Sequence, residues 1–255
     1  MKYLFLIAYK LNIITNKIEK KIKIPIFLFI SPPRLITFFL ERLLFQKLNN
    51  KDLSYENSGG YCWKKIDGEN PINIISAGIS SNIDFEKYIF KKNKFQNFIC
   101  IDPTSLGKNT IKESGINCTF LLGALFNFNG KIKIFKPPNK NDNNYSISNL
   151  FNSKAYEYIN SYDIKFICEK YNIKKIDILK LDVEGVAYEI LHDCILNNIL
   201  PNQICFEMER PLLKNQIKYF MSLIKFKKLF KKDYKIYYYT HKKLGHRTEL
   251  LCVKK

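Results

Sequence analysis

Arginine is scarce in this sequence. Only Arg34, Arg42, Arg210 and Arg247 stand among 42 cations, and the remaining 38 are lysines. No N-P-P-[YF] segment of the kind that forms a base pocket is present. Cysteines never pair as C-x-x-C. Cys62, Cys100, Cys118, Cys168, Cys194, Cys205 and Cys252 are spread singly, and their number is odd. That excludes a zinc-ligand spacing, to which the three histidines (His192, His241, His246) add nothing. It reads as a set of reduced thiols without disulfides, in a cytoplasmic protein. No stretch runs eighteen apolar residues without a charge or a proline, which excludes an ordinary transmembrane helix. The phosphate-binding pattern G-x-G-x-x-G is also missing.

What is present is enough for one α/β domain with a real core. The chain has 255 residues, 46% hydrophobic and 15% aromatic, so wholesale disorder is excluded. The formal net charge is +19, unevenly spread. Residues 1–50 carry nine cations and two anions, and residues 211–255 carry thirteen and two. The middle, 51–210, is nearly neutral with 20 cations and 19 anions. A uniform enrichment in lysine would not leave the middle neutral. The excess marks surfaces made by the two ends, suited to an anionic partner.

At the N-terminus, YLFLIAY (3–9) faintly resembles a signal peptide, but Lys10 interrupts it and no small-x-small cleavage site follows. Pro25, Pro32 and Pro33 break the next apolar stretch. From Ile36 to Leu48 the apolar positions fall at helical spacing, which predicts a helix packed on the main domain. Its alternative is a lysine-rich segment lying on a membrane surface. At the other end, Leu213–Lys232 reads as a helix closing on KFKKLFKK. YKIYYYT (234–240) and TELLCV (248–253) then read as a terminal hairpin turning at Gly245.

Between the ends, INIISA (72–77), FICI (98–101), NCTFLL (117–122), IDILKLD (176–182) and QICFEME (203–209) are short apolar runs that predict buried strands. Helices are expected over 82–92, capped by Asn82 or Asp84, and over 106–114, 161–171 and 185–197. Asn129-Gly130 predicts a turn before the half-exposed strand KIKIF, and 137–153 reads as a loop. Strands alternating with helices imply a doubly wound, mostly parallel sheet with helices on both faces, edged by the antiparallel hairpin.

In such a sheet ligands bind beyond the carboxyl ends of the strands. The first strand runs into Ser76-Ala77-Gly78-Ile79-Ser80-Ser81, where Gly78 permits a tight turn and close approach of a ligand. The second strand ends at Asp102, 24 residues beyond Gly78, the distance at which an acid takes the ribose hydroxyls of a nucleotide. Asp182 and Glu184 follow the fourth strand and lie on one side in extended geometry. Glu207 and Glu209 do the same at the end of the fifth. Such acids suit a substrate hydroxyl, a general-base proton or a divalent ion.

The ordered segments NIISAGISSNIDFE, CIDPT, NGKIKIFKP, DILKLDVEGVAYEIL and QICFEME resemble the FkbM family of methyltransferases over about residues 72–209. KLDVEG followed by EIL is the most specific part. The resemblance implies a Rossmann-like class I methyltransferase domain over 61–255, with seven strands, and an N-terminal helical extension over 1–60. It implies S-adenosylmethionine as cofactor, with Ser76, Ala77, Gly78, Ile79 and Ser80 around it. Asp102 would take the ribose, and Gly123 and Ala124 would approach the adenine. Asp182, Glu184 and Glu207 would serve methyl transfer, with a divalent metal as an option. The sequence departs from the family in having one glycine in the first loop, where relatives often have two or three. It also lacks the histidine that often follows the glutamate of the fifth strand.

The expected activity is O-methylation of a hydroxyl on a sugar, a glycan or a related small molecule. The alternatives are an RNA or nucleic-acid methyltransferase, disfavoured because the cations of the ends are mostly lysines and no base-pocket motif is present, and a non-catalytic scaffold at a membrane surface. The basic ends are expected to hold the protein near an anionic membrane, at the inner membrane face, or near a phosphate-bearing glycan.

Overall fold

Two short runs with almost no polar residues, INIISA and ILKL, form the middle of the main sheet. They are β4 (Ile72–Ala77) and β10 (Ile178–Leu181), and every residue in both is buried. Continuous rather than alternating hydrophobicity is what a parallel strand covered on both faces requires. The computed structural model describes residues 41–48, 54–66, 70–136, 145–149, 153–183, 185–209, 216–239 and 247–255.

On one side of β4 lie β5 (Phe95–Asp102) and then β6 (Thr119–Leu122), both parallel to it. On the far side β10 pairs in parallel with β11 (Gln203–Glu209). The chain therefore reverses its direction of winding between β4 and β10, which makes the gap beyond their carboxyl ends the topological switch point. Beyond β11 come β13 (Arg247–Lys254), antiparallel, and β12 (Tyr234–Tyr239). The expected terminal hairpin is thus the antiparallel edge, with its turn at Gly245 outside the described residues. The sheet holds eight strands rather than seven, because a two-residue strand, β1 (Gln46–Lys47), adds in parallel to β12.

Alternate side chains of the central strands feed two cores. Ile75, Ala77, Leu179, Leu181, Ile204 and Phe206 pack against three helices. These are α3 (Ile164–Lys170), α4 (Ala187–Leu196) and α5 (Gln216–Phe230). Ile74, Cys100, Ile178, Cys205 and Leu251 face the opposite way. That side is covered by α1 (Asp84–Lys92), α2 (Ser105–Ser114) and the hairpin of β2 (Tyr55–Ser58) and β3 (Tyr61–Lys64). Helices on both faces of a mostly parallel sheet confirm the expected α/β class.

Two caps set helix starts, Thr104 accepting from the Gly107 N–H at 3.1 Å and Asp163 from the Phe166 N–H at 2.6 Å. The cap of α1 is neither Asn82 nor Asp84, as expected, but Ile83, which makes no side-chain cap; Asn82 accepts from the Asp84 N–H in the preceding turn. Asp163 starts α3 later than the expected 161, because residues 156–162 are extended. They form β9 (Tyr156–Tyr162), which the sequence reading missed. With β8 (Gly130–Phe135) and β7 (Ala124–Leu125), β9 makes a three-stranded sheet beside the carboxyl ends of the main one. The loop expected over 137–153 is described only at 145–149 and at 153; Ser146 bridges to Phe135.

Of the N-terminal extension expected over 1–60, residues 1–40 lie outside the described residues. Residues 41–44 are helical, and Phe45 and Leu48 are buried in the two cores. The boundary expected at residue 60 falls in the turn between β2 and β3. Among the described residues no helix is long and apolar enough to cross a membrane.

Candidate active site

The turn that follows β4 is shaped by what lies on either side of it. Gly78 has φ +79°, and a side chain there would put its Cβ 1.9 Å from the backbone oxygen of Asp182. Only glycine meets both conditions. The Gly78 N–H donates to Ile101 O at 2.9 Å, and the Asp182 N–H donates to Ala77 O at 2.9 Å. The turn is therefore wedged between the ends of β5 and β10. Ser80 continues it in the left-handed region at φ +50°.

Asp102, at the end of β5, is buried and holds this turn. Its Oδ2 accepts from the N–H groups of Ile79 at 2.8 Å and Ser80 at 3.1 Å. Its Oδ1 accepts from the Thr104 N–H at 2.8 Å and from the Thr104 hydroxyl. A carboxylate has about four acceptor positions, so all are engaged within the chain.

Lys180 is the unexpected residue. It occupies the middle of β10 with its side chain only 2% exposed. Its Nζ donates to the carbonyl oxygen of Gly78 at 2.6 Å. It also lies 3.4 Å from Glu86 Oε1, on the buried face of α1, and 3.6 Å from Asp182 Oδ2. Burial alone would pull the Lys180 pKa down. The charges of Glu86 and Asp182 and the hydrogen bond to Glu86 outweigh it and hold the ammonium above its usual range. Ser76, expected beside the cofactor, instead donates its hydroxyl to Glu86 Oε1 at 2.6 Å, out of reach of the cavity.

Tyr61, on β3, places its ring 5.0 Å from the Lys180 ammonium, a cation–π contact. Its hydroxyl is buried and finds no acceptor in hydrogen-bond geometry, although Asp182 is close enough to act on it. Burial first, then the charges of Asp182 and Glu207, push its pKa well above the usual phenol value.

Beside these groups, at the switch point, lies a cavity of about 300 Å³, near the lower limit for a ligand pocket. Ala77, Gly78, Ile79, Ser80, Asp102, Gly123 and Ala124 line it, as do Asp182 and Glu207. Seven of the eight residues expected around a cofactor are thus brought together, and two of the three expected to act in catalysis join them. Glu184 lies outside the described residues. Gly123 is a second place where backbone must come close, since a Cβ would meet Asn160 O at 2.6 Å. Apolar Leu125, Ile134 and Ile147 also line the cavity. Ile134 and Ile147 come from the small sheet and its loop, which nothing in the sequence reading connected to the site. Tyr61, Glu86 and Lys180 were also missed. A lone charge inside an apolar strand was the signal for Lys180.

Among the described residues no group of three His, Cys, Asp or Glu side chains could hold a metal ion.

No curated protein matches this chain. Among solved structures it is similar to the methyltransferase FkbM from Methylobacillus flagellatus KT, at 13% identity and a TM-score of 0.45, covering 72% of this chain and 43% of that one. It therefore spans less than half the length of that protein. It is also similar to the human methyltransferase 10 domain containing protein, at 10% identity and TM-score 0.40, over 97% of this chain and 96% of that one. A third is the plantazolicin methyltransferase BpumL in complex with a triazolic desmethylPZN analog and SAH, at 11% identity and TM-score 0.37, over 88% and 83%. The family described as Methyltransferase FkbM domain matches residues 56–235. That span runs from β2 to β12, takes in every wall of the cavity and exceeds half of the sequence, and the chain belongs to the FkbM methyltransferase domain family.

Proposed function

We propose that the chain is an S-adenosylmethionine-dependent O-methyltransferase acting on a hydroxyl of a sugar, a glycan or a related small molecule. One observation carries this reading. The cavity at the switch point combines two unlike features, a tight backbone turn at Gly78 and the carboxylates of Asp182 and Glu207.

The turn suits the cofactor. Gly78 and Gly123 let their turns pack tightly against Asp182 and Asn160 while lining the cavity with backbone alone, and Leu125, Ile134 and Ile147 add apolar surface for a flat base. Asp102 stands where a ribose would lie. Its weakest contact, 3.1 Å to the Ser80 N–H, is the one that would yield to a hydroxyl. Bound S-adenosylmethionine supplies a methyl group on an already activated sulfonium centre. The protein's part is then to place the acceptor in line and to take its proton.

Asp182 is the candidate for that proton. Its side chain is 37% exposed toward the cavity, while one oxygen faces Lys180. Glu207, on the neighbouring strand end, adds negative charge beside it. A carboxylate pair of this kind orients a hydroxyl and receives its proton as the oxygen attacks. A neutral hydroxyl needs such a base far more than an amine does.

The test is methyl transfer from labelled S-adenosylmethionine to a panel of sugars and glycans, with amine acceptors as the comparison. Label on a hydroxyl, with Asp182→Asn about 100-fold slower and cofactor binding retained, is the expected result. Full turnover in Asp182→Asn would remove Asp182 from the reaction. Label only on amines would overturn the O-methylation reading.

A further inference from the structure

Lys180 sits where the fold asks for an apolar residue. Its strand neighbours Ile178, Leu179 and Leu181 are all buried and apolar. A charge placed there is costly unless it is paired and hydrogen-bonded on every side, and replacing a buried pair by apolar groups is often neutral. Fold stability therefore does not account for a lysine at this position. What the ammonium touches does.

The ammonium makes one hydrogen bond and two ion pairs, each with a separate role. Glu86 Oε1, at 3.4 Å, is the counter-charge, itself held by the Ser76 hydroxyl at 2.6 Å. Gly78 O, at 2.6 Å, belongs to the turn against the cavity. Asp182 Oδ2, at 3.6 Å, belongs to a carboxylate that also lines the cavity, next to the turn. The Gly78 carbonyl shares its peptide unit with the Ile79 N–H, which donates to Asp102 Oδ2 at 2.8 Å. Turning that peptide would break both contacts at once.

We propose that Lys180 is a positioning residue for the cofactor site, locking the Gly78–Ile79 peptide into the orientation that leaves the turn open to a ligand while it orients the Asp182 carboxylate. Glu86 and Ser76 serve to keep the ammonium charged and in place. The inference rests on the reading of the cavity as an S-adenosylmethionine site, since the turn lines that cavity. It concerns residues that touch no ligand. Lys180 acts through Gly78 and Asp182.

The experiment separates positioning from simple charge pairing. Lys180→Met alone would strand the buried Glu86 carboxylate and destabilise the protein whatever its role. Lys180→Met with Glu86→Gln removes both charges together. Thermal melting and calorimetric titration with S-adenosylhomocysteine are then compared with the unaltered chain. The expected result is a cooperative melt close to that of the unaltered chain, with S-adenosylhomocysteine bound at least tenfold more weakly. Should that pair lose its cooperative melt, Ser76→Ala with Glu86→Met and Lys180→Met makes the pocket wholly apolar and takes its place. Binding within twofold of the unaltered chain in a variant that melts normally would overturn the positioning role and leave the pair as a structural element. Failure of the unaltered chain itself to bind S-adenosylhomocysteine would overturn the cofactor reading, and this inference with it.

Discussion

Lys180 and Asp102 grip opposite ends of one peptide unit. The lysine holds the carbonyl of Gly78 at 2.6 Å and the aspartate holds the N–H of Ile79 at 2.8 Å. They come from β10 and β5, the two strands that flank β4. The turn is thereby held by both of its neighbours, in a conformation that only glycine allows at position 78.

Gly78 and Gly115 give a controlled comparison. Their φ angles are nearly equal, +79° and +74°, but a Cβ at Gly115 meets nothing within 4 Å. Gly115→Ala is expected to lose about 1–2 kcal/mol, the strain of a left-handed alanine alone. Gly78→Ala adds a clash with the Asp182 backbone and is expected to lose more than about 4 kcal/mol, with S-adenosylhomocysteine binding abolished. Denaturant melts of both variants check the difference. Equal losses would mean that the close approach at Gly78 does not constrain the turn.

Tyr61→Phe is expected to leave stability unchanged or raise it by about 1 kcal/mol. The substitution deletes a buried hydroxyl without a hydrogen-bond partner and keeps the ring over Lys180. A thermal melt several degrees lower would show that the hydroxyl carries a stabilising contact.

Stability is expected to fall above about pH 9. Burial raises the Cys62 thiol to about 12, with Glu249 adding to the shift, and raises Cys168 to about 11. Cys194, Cys205 and Cys252 are raised as well, chiefly by burial. A group whose pKa is higher in the folded chain gives stability that is complete below its unfolded value. That stability is lost as the pH rises toward the folded value, because the unfolded chain ionises first. Each of the deeply buried thiols Cys194, Cys205 and Cys252 contributes a slope of at most about 1.4 kcal/mol per pH unit in that window, and the less deeply buried Cys62 and Cys168 contribute less. Urea melts at pH 7, 9 and 10 measure it, and a flat profile to pH 10 would show that the thiols are not buried as described.

The parts legible in the sequence were those decided by local pattern. INIISA, FICI and QICFEME are continuous apolar runs and became β4, β5 and β11. Gly78, Asp102, Asp182 and Glu207 were found because a parallel sheet gathers its strand ends at one edge. What escaped depended on distant partners. In YEYINSY the inward positions are Glu157, Ile159 and Ser161, while Tyr156 and Tyr158 face outward, Tyr158 65% exposed, so β9 had no apolar face to mark it as a strand. Lys180 and Glu86 stand 94 positions apart, and only the packing of α1 on the sheet brings them together. Ser76 looked like a cofactor residue from its place beside Gly78. The strand pleat turns it to the α1 face, toward Glu86.

The most direct measurement is calorimetric titration of the unaltered chain with S-adenosylhomocysteine beside Asp102→Ala. The substitution removes the carboxylate that holds the Ile79, Ser80 and Thr104 N–H groups. Micromolar binding by the unaltered chain, weakened at least 100-fold in a folded Asp102→Ala variant, is the expected result. No binding by the unaltered chain, or equal binding by both, would contradict the assignment of this cavity as the cofactor site.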